Sequence, residues 1–134
     1  MMTIIDADNA IVGRIASHAA QRAMLGDDVK IINCEKAVIS GSKDFIQQKY
    51  LHKGERGQPM RGPFQPKQSD RFVRRVIRGM LPFEKVRGQE AFRRVLCYVG
   101  VPPGLEKAEK MSFADANKLP NNRHITVGHL CKWL

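Results

Sequence analysis

Residues Thr3 to Ile32 read TIIDADNAIVGRIASHAAQRAMLGDDVKII, and the change of period inside this stretch decides the fold. Thr3 to Ala7 is a short apolar run suited to a strand. From Ala10 to Leu25 the apolar residues Ile11, Val12, Ile15, Ala16, Ala19, Ala20, Ala23 and Met24 return every three or four positions, which places them on one face of a helix. Asp8 or Asn9 is positioned to cap the helix start by accepting a backbone N–H, and Gly26 to close its end in a left-handed conformation. Gly13, Ala16 and Ala20 are small enough to let the helix lie close against a sheet. Val29 to Ile32 is the second strand. Strand, helix and strand in so short a span form a βαβ unit, with parallel strands and a right-handed crossover. The chain is therefore α/β.

Outward from this unit, Ala37 to Ile39 reads as a short third strand and Ser42 to Tyr50 as a helix. Ser40-Gly41-Ser42-Lys43 has residue types that bind anions, but its spacing fits a turn with a helix cap better. Between Leu51 and Ser69, three glycines and three prolines break regular structure while Lys53, Arg56, Arg61 and Lys67 charge it. Such a loop cannot build its own core; it is mobile or is ordered by lying on a polyanion. Asp70 to Leu81 is a helix with Phe72, Val73, Val76, Ile77 and Met80 on one side and Arg71, Arg74, Arg75 and Arg78 on the other. Pro82 ends it. A second basic helix, Gly88 to Arg94, runs into Val95 to Val99, an apolar strand of the kind covered on both faces. The tail offers a short helix near Ser112 to Lys118, a Pro-Asn-Asn turn and an amphipathic stretch from Thr126 to Leu134. Neither an internal repeat nor a dividing linker is visible, so 134 residues are expected to form one domain, 1–134.

The formal net charge is +10. Fourteen of the 23 lysines and arginines, but only five acids, lie between Gly41 and Arg94, so this stretch carries +9 of it. So lopsided a charge is an electrostatic footprint, and nucleic acid is the polyanion that best matches it. Solvated helices alternate signs, whereas Arg71 to Arg94 holds eight basic residues against Glu84 and Glu90. The candidate contacts are Lys49, Lys53, Arg56, Arg61 and Lys67 in the helix and loop, Arg71, Arg74, Arg75 and Arg78 on the helix, then Lys85, Arg87, Arg93 and Arg94. Arg93 or Arg94 has an alternative partner in Glu90. Arginine suits phosphate because its planar donor fork matches two oxygens at once. Aromatic residues are only 7% of the chain, which argues against a binder built on base stacking and for backbone and shape recognition of folded RNA.

Other classes are weaker. No apolar run approaches the ~20 residues of a membrane span, and the N-terminus lacks the basic start of a signal peptide. Cys34, Cys97 and Cys131 are far apart and odd in number, as free thiols of a reducing cytosol would be. His124, His129 and Cys131 match no common zinc spacing, and neither metal nor cofactor is expected. The sharpest enzymatic alternative is Asp6-Ala7-Asp8 at the carboxyl end of the first strand, where two carboxylates could hold Mg²⁺ for phosphoryl transfer or nuclease work. The plainer reading has Asp8 capping the helix and Asp6 in the turn. No glycine-rich phosphate loop accompanies the pair.

Ile77-Arg78-Gly79-Met80-Leu81-Pro82, followed by Gly88 and Ala91-Phe92, resembles the signature of the large-subunit ribosomal protein L-thirteen family. Ile5-Asp6-Ala7, Gly13-Arg14-Ile15-Ala16-Ser17, the block from Ile32 to Gly41, and Tyr98-Val99-Gly100 with Pro102 resemble it in the same order. Gly62-Pro63-Phe64 resembles the archaeal and eukaryotic branch. The likeness runs from Ile4 to Pro103, and no role passes to the variable tail, 104–134. It implies a three-layer α/β/α domain with a small, mostly parallel sheet. It also implies a non-catalytic component of the cytoplasmic large ribosomal subunit, monomeric there, bound to rRNA beside neighbouring ribosomal proteins and contributing to assembly. That implication removes Asp6-Ala7-Asp8 as a metal site and leaves no small-molecule substrate. Gly79 is expected to permit a close backbone approach, to RNA or within the corner between helices. An extra-ribosomal regulator using the same basic side to hold a messenger remains compatible with the sequence.

Overall fold

The computed structural model describes residues 1–119 and 123–134, so the expected Pro-Asn-Asn turn lies outside the described residues. Strand β1 (Met2–Asp6) leads through helix α1 (Val12–Met24) to β2 (Asp28–Ile32). These strands pair in parallel with Ile5 opposite Ile31, and β4 (Val95–Cys97) joins β2 in parallel with Val29 opposite Val95. The sheet order is thus β1-β2-β4. Helices α2 (Lys43–Glu55), α3 (Ser69–Met80) and α4 (Val86–Arg93) precede β4. Strand β3 (Val38–Ser40) is not in this sheet; it pairs antiparallel with β5 (His124–Thr126), which runs straight into α5 (Val127–Trp133). Among the described residues no helix is long and apolar enough to cross a membrane.

The pleat sends alternate strand residues to opposite faces. Ile5, Val29, Ile31 and Val95 enter the main core with the apolar sides of α1, α3 and α5, including Ile15, Phe72, Ile77 and Leu130. Ile4 and Ile32 face the other way and are covered by Leu105, Tyr98, Val101 and Ala108. Helices therefore layer one face, while a single 3-10 turn, Pro103–Leu105, supplies the helical part of the cover on the other.

Several local expectations need correcting. Asp8 and Asn9 do not cap α1: the helix begins at Val12, its N-cap is Ile11, and Ile11 supplies no side-chain cap. Asn9 adopts φ 56°, a left-handed turn that asparagine tolerates, so the chain bends before the helix starts. Gly13 meets nothing within 4 Å of a built Cβ; the close fit comes from buried Ala16, Ala19 and Ala20. The other end is as expected. Gly26 takes φ 101°, with Gly26 N–H donating to Ala23 O and Asp27 N–H to Arg22 O, a Schellman closure. Ser42 caps α2 by accepting the Phe45 N–H at 3.3 Å, but α2 continues to Glu55, five residues past the expected end at Tyr50. Strand β4 is not covered on both faces: it is the sheet edge, and Leu96 is 41% exposed. The expected helix near Ser112 to Lys118 is a turn in which Ala116 and Asn117 N–H both donate to Phe113 O.

Candidate nucleic-acid interface

Helix α3 carries the interface because its two sides are chemically opposite. Phe72, Val73 and Ile77 are buried, which fixes the rotation of the helix and turns Arg71 and Arg75 out to solvent. Neither makes a hydrogen bond or ion pair among the described residues. Arg74 and Arg78 lie at the edge of that face, half-buried. Arg74 Nε donates to Val95 O at 3.0 Å and its Nη2 to Phe92 O at 3.4 Å, while its guanidinium sits 4.2 Å from the centre of the Phe92 ring. Arg78 lies 4.2 Å over the Phe83 ring, and Phe83 and Phe92 meet edge to face at 5.5 Å. Arg74 is thus first a tie between α3 and the α4–β4 corner, and it brings only its remaining N–H donors to the surface. Five N–H groups in a fixed fork make both roles available to one side chain.

These residues line one groove of about 840 Å³. Lys67, Arg71, Arg74, Arg75 and Arg78 are its charged groups, and no acid lines it. Phe64, Phe83 and Phe92 supply its apolar wall. A smaller hollow of about 320 Å³ adjoins, with Lys53, Arg56 and Arg75 as its charges. Lys53 Nζ lies 4.9 Å from the centre of the Tyr50 ring, and Lys49 Nζ 5.8 Å from it. Burial, and then the positive charges of Lys49 and Arg56, hold the Lys53 ammonium below the usual lysine range. An anion placed here would relieve the repulsive part of that shift.

The remaining expected contacts scatter. Arg61 is exposed on the segment after α2; Lys85 and Arg87 are exposed at the start of α4, and Arg93 at its end. Arg94 instead donates from Nη1 to Ala23 O at 3.0 Å, pinning the end of α1. Neither Arg93 nor Arg94 pairs with Glu90: among the described residues the ion pairs are His18–Asp115 and Arg22–Asp27. A Cβ at Gly79 would meet open space, so the close approach in this corner belongs to Gly88, where a Cβ would stand 2.0 Å from Pro82 O.

At the end of β1, Asp6 Oδ1 accepts the Asp8 N–H and the Asn33 amide, each at 3.0 Å. This is the turn-building role, although Asp8 does not cap the helix. Cys34 and Cys131 are buried and Cys97 half-buried, all three as free thiols. A hydrogen bond with Cys34, then burial, pushes the Cys97 thiol far above its ordinary range, and burial raises Cys131. Thiols held protonated in this way are poor nucleophiles.

Residues 1–103 match the family of ribosomal protein L13. The chain belongs to that family. It is 43% identical to the large ribosomal subunit protein uL13 of Methanopyrus kandleri over 98% of this chain and 86% of that protein. It is 43% identical to uL13 of Methanosarcina barkeri over 96% and 94%, and 44% identical to uL13 of Methanocaldococcus jannaschii over 99% and 97%. Family membership and the hydrogen bonding of Asp6 leave the carboxylate-enzyme alternative without support.

Proposed function

We propose that this chain is a non-catalytic structural constituent of the large subunit of the cytoplasmic ribosome, binding its rRNA through the α3 face and supporting subunit assembly. The observation that carries the reading is the groove with five cationic side chains and no acid among its lining residues. Leaving such a set without counter-charges costs mutual repulsion, and phosphates remove that cost while releasing the ions condensed on RNA. Lys49, Lys53 and Arg56 extend the same charge along α2, and Arg61, Lys85, Arg87 and Arg93 extend it over the neighbouring surface. Arg94 contributes less, being tied to Ala23. The chain acts as one domain and one copy per subunit, beside other ribosomal proteins, with no small-molecule substrate.

Charge reversal tests the face. Arg71→Glu with Arg75→Glu spares the core and removes two exposed guanidiniums, so affinity for purified large-subunit rRNA should fall by at least 100-fold at unchanged thermal midpoint, at about 1.5–3 kcal/mol per charged contact. Unaltered binding in a filter or gel-shift titration would refute the assignment. Arg74 does not belong in this test, because its reversal would also break the α3–β4 tie.

A further inference from the structure

The three phenylalanines of the basic groove are used unequally. Phe83 and Phe92 each lie beneath a guanidinium and against one another, which fixes the direction of Arg78 and Arg74. Phe64 is 68% exposed, and among the described residues no cation or other ring lies on it. Its ring is seated by Gly62, where a Cβ would come within 3.0 Å of it. Phe64 lines the large groove and the smaller hollow alike, as does Arg75. A bare aromatic ring therefore stands between two cationic depressions.

We propose that Phe64 receives an unpaired, turned-out base of the rRNA, whose flanking phosphates lie in the two depressions. This rests on the reading of the α3 face as an RNA surface. Every base offers a flat π face, and stacking on an aromatic side chain is the usual way an unstacked RNA base is held. A base can stack on the ring only when it has left its own stack, so the nucleotides that enter belong to a bulge or loop. Lys53, Arg56 and Arg75 on one side, and Lys67, Arg71 and Arg75 on the other, bracket the ring with phosphate-matching donors. An acidic peptide would neutralise the same cations but leave the ring without a flat partner. The low aromatic content of the chain conceals this arrangement, because it rests on one ring placed between charges.

The test compares Phe64→Ala, Phe64→Leu and Phe64→Trp, each checked for an unchanged thermal midpoint, in binding to purified large-subunit rRNA. Phe64→Ala should lower affinity by roughly 5- to 150-fold. Phe64→Trp should keep wild-type affinity, Phe64→Leu should not restore it, and the salt dependence should stay the same. Ultraviolet cross-linking of the wild-type chain in reconstituted subunits should join the peptide bearing Phe64 to an unpaired nucleotide. Full affinity in Phe64→Ala, rescue by Phe64→Leu, or a cross-link to a paired nucleotide or another ribosomal protein would overturn the proposal. The two readings fail separately: a neutral Phe64→Ala beside a defective Arg71→Glu/Arg75→Glu sinks only the base pocket, whereas a neutral arginine pair sinks the RNA face itself.

Discussion

Arg74 shares helical spacing with Arg71, Arg75 and Arg78, yet it hands two donors to the carbonyls of Phe92 and Val95. Val95 is on the edge strand, so this guanidinium also occupies a backbone acceptor that, among the described residues, no further strand covers. Charge-assisted hydrogen bonds of this kind contribute about 1.5–3 kcal/mol, and Arg74→Ala should lose stability of that order. Arg75→Ala, with no such partner, should stay within about 0.5 kcal/mol of wild type. Urea denaturation with an unchanged m-value distinguishes them, and equal stabilities would show that the tie carries nothing. Helical spacing placed all four guanidiniums on one side correctly, because 3.6 residues per turn is local geometry. It could not reveal which of them reaches inward, since that depends on where residues 92 and 95 come to lie.

Elements assembled from nearby residues were legible for the same reason. The parallel β1-α1-β2 unit, the cap at Ser42 and the two-sided α3 all follow from short-range pattern. Local reading still failed at the start of α1, at the end of α2 and in the turn near Ser112 to Lys118, and the other exceptions involve partners distant in sequence. Strand β3 is paired by β5, some 86 residues further on, and α1 is tethered by a turn in the tail. Arg14 donates to the carbonyls of Asp115 and Lys118; the His18 ring stacks on Phe113 at 3.9 Å, with Nε2 3.1 Å from Asp115 Oδ2. The family resemblance passes no role to that tail, yet it covers one sheet face through Leu105 and fills the core through Ala116, Ile125 and Leu130. The hydrogen bond with His18 holds the Asp115 carboxyl below the usual aspartate range. A depressed carboxylate pKa stabilises the fold above the unfolded value, about 3.9, and that stabilisation is lost as pH falls through the folded value. Asp115→Asn should therefore lower the thermal midpoint at neutral pH, and the difference should close once pH falls below the lowered value of this carboxyl. A gap that persists in acid would rule out the carboxylate as its source.

The whole molecule is polarised, with most of its positive charge along α2, the segment after it, α3 and α4. Binding that neutralises ~6–10 phosphates should weaken on the order of 10³- to 10⁵-fold between about 50 and 200 mM salt. The arginine pair reversal should also flatten this dependence, with the slope of log affinity against log salt falling by roughly one for each lost phosphate contact. A slope indifferent to those charges would mean that the affinity arises elsewhere. The concentration of basic residues between Gly41 and Arg94 made this polarity readable, since neighbours in sequence stay neighbours in any fold. Its concentration in a groove walled by Phe64, Phe83 and Phe92 was not readable, because the rings are contributed by three separate elements.

The pairing of β3 with β5 also has a temporal side. Translation delivers Val38 to Ser40 well before His124 to Thr126, and Val127 N–H then donates to Ala37 O at 2.8 Å as α5 packs down. A nascent chain consequently leaves part of its interior open until β5 and α5 emerge, during which time its cationic helices are already available to stray polyanions. Copies stalled before β5 would be sticky yet unfinished.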